Sequence, residues 1–352
     1  MLKVRLCLKS HFYQLVLKWS LMLVLTFCQI MTLVIITTAQ KQTKPPRSRV
    51  YVANSFSPSI SVIDASTNAV FSTIPLDATP RGIVINPAGT RLFICQINGT
   101  VSAIDTATNT VSASIVLPTD NSLTAIPFAI AINPDGSRVY VTYSAASAEE
   151  NWLGIIDTTA NAVMARLKVG VSPLSVAVNP AGTLVFVAHQ RGPLDDIGCE
   201  CDLTVVDATN NTVLNRAALE VTQSSVGLIV GKDNKLYATD GLFRVHAIDL
   251  STLTVVNKIT VGGQPQGMVF DQSGAHLFVP SLDSNSLSIV EIFTGAVEAV
   301  QVGMEPVNVA IDSSGKFAYV VNKQSNTVSR SAHCPEEPAL CTKWKILGWE
   351  QV

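Results

Sequence analysis

PFAIAINPDGSRVYV, residues 127–141, is followed at residues 154–163 by GIIDTTANAV. The first stretch reads as strand, turn, strand. Its turn, Asn133-Pro134-Asp135-Gly136, combines a fixed proline φ, side-chain oxygens that cap a bend, and a glycine free to take positive φ. The second stretch repeats the scheme, with Asp157 and Asn161 as the turn residues. The apolar runs are short, near-continuous and rich in β-branched residues, which suits strands covered on both faces.

Outward from this pair the same words recur along the chain. The proline-led word returns as PRGIVINPAGTRLFI (80–94), PLSVAVNPAGTLVFV (173–187), PQGMVFDQSGAHLFV (265–279) and PVNVAIDSSGKFAYV (306–320). A weaker copy, SVGLIVGKDNKLYA (225–238), puts Ser225 in the proline slot and Asn234 in the glycine slot. The Asp word returns as SVIDASTNAV (61–70), SAIDTATNTV (102–111), TVVDATNNTV (204–213), HAIDLSTLTV (246–255) and SIVEIFTGAV (288–297). Tyr51, Phe93, Tyr140, Phe186, Tyr237, Phe278 and Tyr319 mark seven units, spaced 41 to 51 residues apart. Four short strands per unit of this length is the arithmetic of a propeller blade. The fold class is therefore all-β: a seven-bladed β-propeller of four-stranded antiparallel blades.

The words YVAN (51–54), YVTY (140–143) and YVVN (319–322), with the SVID-x-x-T-N stretches, resemble the YVTN-type β-propeller repeats. The resemblance spans residues 49–330. It implies seven blades with the proline-led strand innermost in each. Surface-layer and secreted proteins carry such repeats, as do subunits or relatives of periplasmic enzymes, and seven-bladed lactonases are similar in fold. It further implies that C-terminal residues complete the first blade. Here the repeat begins at a second strand and stops near Arg330 after a third. Residues 331–352 do not match it, and residues 343–349 offer one further strand.

The N-terminus reads differently. Lys3, Arg5, Lys9 and Lys18 precede an apolar run over residues 19–36, then Thr37-Thr38-Ala39-Gln40 with small side chains. That order is a secretory signal over residues 1–39, or an uncleaved anchor. Residues 40–48 form a polar linker. The expectation is an exported protein, at a membrane only through an uncleaved leader.

Composition bounds the function. Charged residues make up 14% and hydrophobic residues 47%, which excludes disorder as the main state. Beyond the leader, 20 basic face 26 acidic side chains. A net-acidic body lacks the clustered cations of a nucleic-acid surface, so nucleic acid is not an expected partner. No G-x-S-x-G, H-E-x-x-H, C-x-x-C-H or phosphate-loop motif occurs, and no cofactor or catalytic residue is assigned.

Consecutive antiparallel strands place the two short turn words at one end of the propeller. The other end carries the insertions at 118–126, 144–151 and 190–202, so a protein or small-molecule partner is expected there. The fourth letter of each YVTN word falls at this looped end: Asn54, Gln96, Tyr143, His189, Asp240, Ser281 and Asn322. By symmetry they form a ring at the channel mouth, either a ligand site or merely wet strand ends. His189 precedes QRGPLDDIGCECD, where Asp195, Asp196, Cys199 and Cys201 make a weak metal candidate without paired-cysteine zinc spacing. Cys334 and Cys341 are disulfide candidates, although the four loop cysteines allow three pairings. Cys95 reads as a buried small hydrophobe. The expected function is a non-catalytic binding or scaffold propeller. The alternatives are a lactonase-like hydrolase and a redox- or metal-associated subunit.

Overall fold

The computed structural model describes residues 34–38, 48–120, 123–145, 151–189, 203–217, 227–312, 314–332 and 345–351. They form seven four-stranded antiparallel sheets, each built from four consecutive strands, and no helix. No helix among them is long and apolar enough to cross a membrane. The first strands of the blades are Val34–Thr38, Pro80–Ile85, Ala125–Ile132, Pro173–Val178, Leu228–Val230, Val269–Phe270 and Pro306–Ile311. Neighbouring first strands touch at six of the seven joints, Val34–Thr38 meeting Pro306–Ile311 among them, so these strands line the axis of a closed ring.

The turns form for the reasons their composition suggests. Asn133 Oδ1 accepts from Arg138 N at 2.7 Å, and Asn86 and Asn179 bond their own turns in the same way. Gly136 has φ of 76°, and a Cβ there would lie 2.9 Å from Pro87 Cδ on the preceding blade. Gly136→Val is expected to cost about 1–2 kcal/mol in a denaturation series, because a β-branched residue resists positive φ. An unchanged melting temperature would overturn this account of the turn. Asn234 takes the glycine slot with φ of 60°. In the Asp turns, Asp105 Oδ1 accepts from Ala107 N and Thr108 N at 2.9 Å, and Asn109 follows with φ of 56°. Asp157 and Asp207 do the same in their turns.

All seven aromatic landmarks are buried, and their clusters straddle neighbouring blades. Phe93 and Cys95 of the second blade share a cluster with Val139, Val141, Tyr143 and Trp152 of the third. The ring closes through another, which joins Val50, Val52 and Ile63 to Val307, Tyr319, Val321 and Val328.

A polar latch reinforces several joints at the turn end. Arg91 donates to Thr158 O and, at 2.6 Å, to Asn161 Oδ1 of the next blade. Arg138 donates to Ala208 O and Asn211 Oδ1, and Arg49 to Thr106 O, where Tyr51 OH also reaches Asn109 Oδ1 at 3.1 Å. At the fourth joint Leu184 stands in the arginine slot, and Leu253, with φ of 56°, stands in the asparagine slot. Both pack on the same apolar cluster. The closing joint is different again. Arg330 sits opposite Tyr319, where other blades carry Val62, Ala103 or Ile155, and donates to Asn68 Oδ1 of the first blade at 3.3 Å. Its guanidinium stacks 3.7 Å from the Phe317 ring centroid.

Two strands lie beyond the repeat as read from the sequence. Lys345–Gln351 pairs with Thr327–Ala332 as the outer strand of the seventh blade. Val34–Thr38 pairs with Ser48–Asn54 as the inner strand of the first, with Ile35 opposite Tyr51 as Val84 is opposite Phe93. This strand falls inside the segment read as leader, so cleavage after Ala39 would leave the first blade with three strands. Both strands flank the seam where the repeat pattern breaks.

Candidate functional site

At the looped end, each second strand finishes beside the start of its inner strand. Gln96 pairs with Pro80, Tyr143 with Pro127, His189 with Pro173 and Asn322 with Pro306, while Pro265 bridges to Ser281. Proline fits there because the inner strand is an edge with no further ladder to feed.

Most of the polar fourth letters are engaged with their own hairpins or with the connection that precedes them. Gln96 Nε2 donates to Thr100 Oγ1 and to Ser102 Oγ at 2.8 Å, and its Oε1 accepts from Ala78 N at 3.1 Å. Asn54 Nδ2 donates to Ser59 and Ser61, and Asn322 Nδ2 to Thr327 and Ser329. Tyr143 OH donates to Pro118 O at 2.8 Å. His189 Nε2 lies 3.1 Å from Thr204 Oγ1.

In three blades the entry loop then roofs the residue. A Cβ on Gly170 would come within 2.1 Å of the His189 ring, and one on Gly303 within 2.6 Å of Asn322 Cγ. Gly262 lies over Ser281 in the same way. Only a residue without a side chain allows this approach. His189 is 2% exposed, and Gln96 and Asn322 are fully buried. Gln96 and Tyr143 thus tie their hairpins to the entry loops, Asn54, Asp240 and Asn322 bond within their own hairpins, and His189, Ser281 and Asn322 lie beneath entry-loop glycines.

Asp240 is the most elaborate of them. Its Oδ1 accepts from the N–H groups of Leu242, Phe243 and Arg244, and its Oδ2 lies 3.4 Å from His246 Nε2, with both residues buried. Burial alone would raise the Asp240 carboxyl, but the three N–H groups and His246 together hold it below its ordinary value. Burial holds the His246 imidazole below its ordinary value, although Asp240 pulls the other way, and Lys258 and Arg244 add to the lowering. A group whose folded pKa is depressed stabilises the fold above its unfolded pKa and loses that contribution as pH falls through the folded value. His246 should therefore erode stability as pH drops below about 6.5, and Asp240 below about 3.9. The turn carboxyls of Asp105, Asp157, Asp207 and Asp249, lowered chiefly by N–H and O–H donors of their own turns, act in the acid range too. The expected result is a melting temperature that falls from pH 7.5 to 4.5, with His246→Gln flattening the part above pH 5. A melting temperature that rises on acidification would overturn it.

Among the described residues no three His, Cys, Asp or Glu side chains are placed to hold a metal ion. Asp195, Asp196, Cys199, Cys201, Cys334 and Cys341 lie outside the described residues. Cys95 is buried in the cluster around Phe93.

The looped end has a second feature, which the repeat reading passed over. Phe56, Ile97, Leu242, Phe243 and Met304 sit on its connections and are exposed, Phe56 by 72% and Phe243 by 59%. The signal was present in the sequence: Phe56, Ile97, Leu242 and Phe243 are apolar letters in a connection that is wholly polar in residues 322–327. Lys323 Nζ lies 5.8 Å from the Phe56 ring centroid, across the seam. Phe293, 97% exposed, stands on a turn at the other end.

No family model matches the chain, and no curated protein matches it. Solved structures do. A chain of Kuenenia stuttgartiensis hydrazine synthase aligns at a TM-score of 0.70 and 18% identity, over 81% of this chain and 92% of that one. A chain of a mitotic checkpoint complex aligns at 0.63 and 15%, over 78% and 81%. A functionally unknown protein from Desulfotomaculum acetoxidans aligns at 0.67 and 10%, over 84% and 92%. At these identities the likeness establishes the β-propeller fold.

Proposed function

We propose that this is an exported, non-catalytic propeller of the YVTN type that binds a protein partner through its looped end. The observation that carries this reading is the set of exposed apolar side chains Phe56, Ile97, Phe243 and Met304 on the connections of that end. Apolar side chains in wet loops cost solubility and fill no core position, so a surface that is covered in use accounts for them. Aromatic anchors are also the usual carriers of binding energy. The fourth-letter residues support the loops from beneath, as rigid scaffold under a contact surface.

The test begins with a partner isolated by cross-linking on intact cells. Phe56→Ser with Phe243→Ser should then weaken binding by about tenfold or more, while Phe293→Ser leaves it unchanged. Binding that follows Phe293 instead would move the surface to the opposite end.

A further inference from the structure

The inner strands carry a feature independent of the looped surface. Near their start the ladder slips by one residue, between Pro80 and Gly82, Pro173 and Ser175, and Pro306 and Asn308. Such bulges re-aim the residue that follows. The residues at this position in six blades, Gly82, Ala129, Ser175, Gly227, Gly267 and Asn308, line a cavity of about 140 Å³ on the axis. Their equivalents one position on, among them Ile130 and Met268, line it as well. All inner strands run in the same direction from the looped end. The cavity therefore has two levels: a ring of bare glycine backbone and small polar groups, and an aliphatic ring one residue deeper.

The polar level is unsaturated. Ser175 is 5% and Asn308 4% exposed, so both are buried against bulk solvent. The Asn308 Oδ1 accepts from Val309 N at 2.8 Å, but its Nδ2 group and the Ser175 hydroxyl bond no described residue. Buried polar groups are normally satisfied, so these two can bond a water or a bound molecule in the cavity. Among the described residues no charged side chain lines the space, so an ion entering it would lose hydration without compensation from them. An engineered cavity of about 150 Å³ accommodates benzene.

We propose that the channel waist is a binding site for a small neutral molecule with an apolar body of about benzene's size and one hydrogen-bonding head. The head meets Ser175 and Asn308, and the body rests on the aliphatic ring. Phenol is the probe, benzoate the charged control. In amide spectra of the ¹⁵N-labelled full chain, phenol should produce saturable shifts at Gly82, Gly227 and Gly267, and benzoate at equal concentration none. Ser175→Ala should weaken phenol by about three- to tenfold, the worth of one neutral hydrogen bond. Ser175→Leu should abolish binding by filling the space, read only on a protein whose spectrum shows it folded. Absence of saturable shifts at these glycines would overturn the proposal in favour of a channel that holds water alone. So would equal shifts from benzoate, or phenol affinity untouched by Ser175→Ala. The outcome is separable from the looped-end reading, because Phe56→Ser and Phe243→Ser should leave phenol binding intact.

Discussion

Phe93→Ala is expected to destabilise the protein by about 3–5 kcal/mol, the range for emptying a fully buried aromatic position. Phe93 has no exposed surface and belongs to the cluster that joins the second blade to the third. The strands on both sides are held in register, by Val84 within and Ala103 without, so the surrounding side chains have little freedom to collapse into the void. Truncation also removes the face on which the Arg91 guanidinium rests, 5.1 Å from the ring centroid. Urea denaturation of the two proteins measures the difference. Phe293→Ala is the control: that side chain is 97% exposed and should change stability by no more than about 0.5 kcal/mol. A loss below about 1 kcal/mol at Phe93 would mean that the interface between blades is not the core.

The second large effect concerns the latch. Arg91→Ala should cost about 2 kcal/mol, because its guanidinium donates to both Thr158 O and Asn161 Oδ1 across the joint. Arg91→Lys should recover little of it, since an ammonium cannot reproduce the planar fork. The fourth joint allows a stricter test. There Leu184 and Leu253 replace the arginine and asparagine and share one apolar cluster. Leu184→Arg alone sets a cation against leucine, and Leu253→Asn alone relieves positive φ but removes apolar contact. The double exchange recreates the latch of the neighbouring joints. It should be more stable than the sum of the single changes predicts, by about 1 kcal/mol. Strict additivity would show that the two positions do not meet across the joint.

Of the candidate site, the chain order placed Gln96, His189, Asp240 and Asn322 at the looped end, and the structure has them there. What they do at that end was not legible. Their polarity reads equally well as a ligand ring or as internal ties. The choice turns on Gly170, Gly262 and Gly303, residues from the preceding connections whose backbones cover His189, Ser281 and Asn322. Nothing in the linear spacing states that a glycine lies on an imidazole belonging to the next strand pair. The exposed Phe56 and Phe243 were legible as letters out of place in polar loops. They passed unremarked because repeat reading attends to what recurs.

Periodicity and turn chemistry, both local properties, were enough to establish the blades. Asn-Pro-x-Gly and Asp-x-x-Thr-Asn bend the chain through their own side chains and φ angles, and near-continuous apolar runs between them can only be strands covered on both faces. Hence seven units, four strands in each of the five inner ones, and seven buried aromatics follow from the sequence alone. Contacts between blades belong to the tertiary structure. The Arg91 latch, its leucine counterpart at Leu184 and Leu253, and Arg330 reaching Asn68 join residues from 67 to 262 positions apart. Ring closure is of the same kind. Val34–Thr38 and Lys345–Gln351 carry no repeat word, and they become strands because the edges of the first and seventh blades offer backbone donors and acceptors that must be paired.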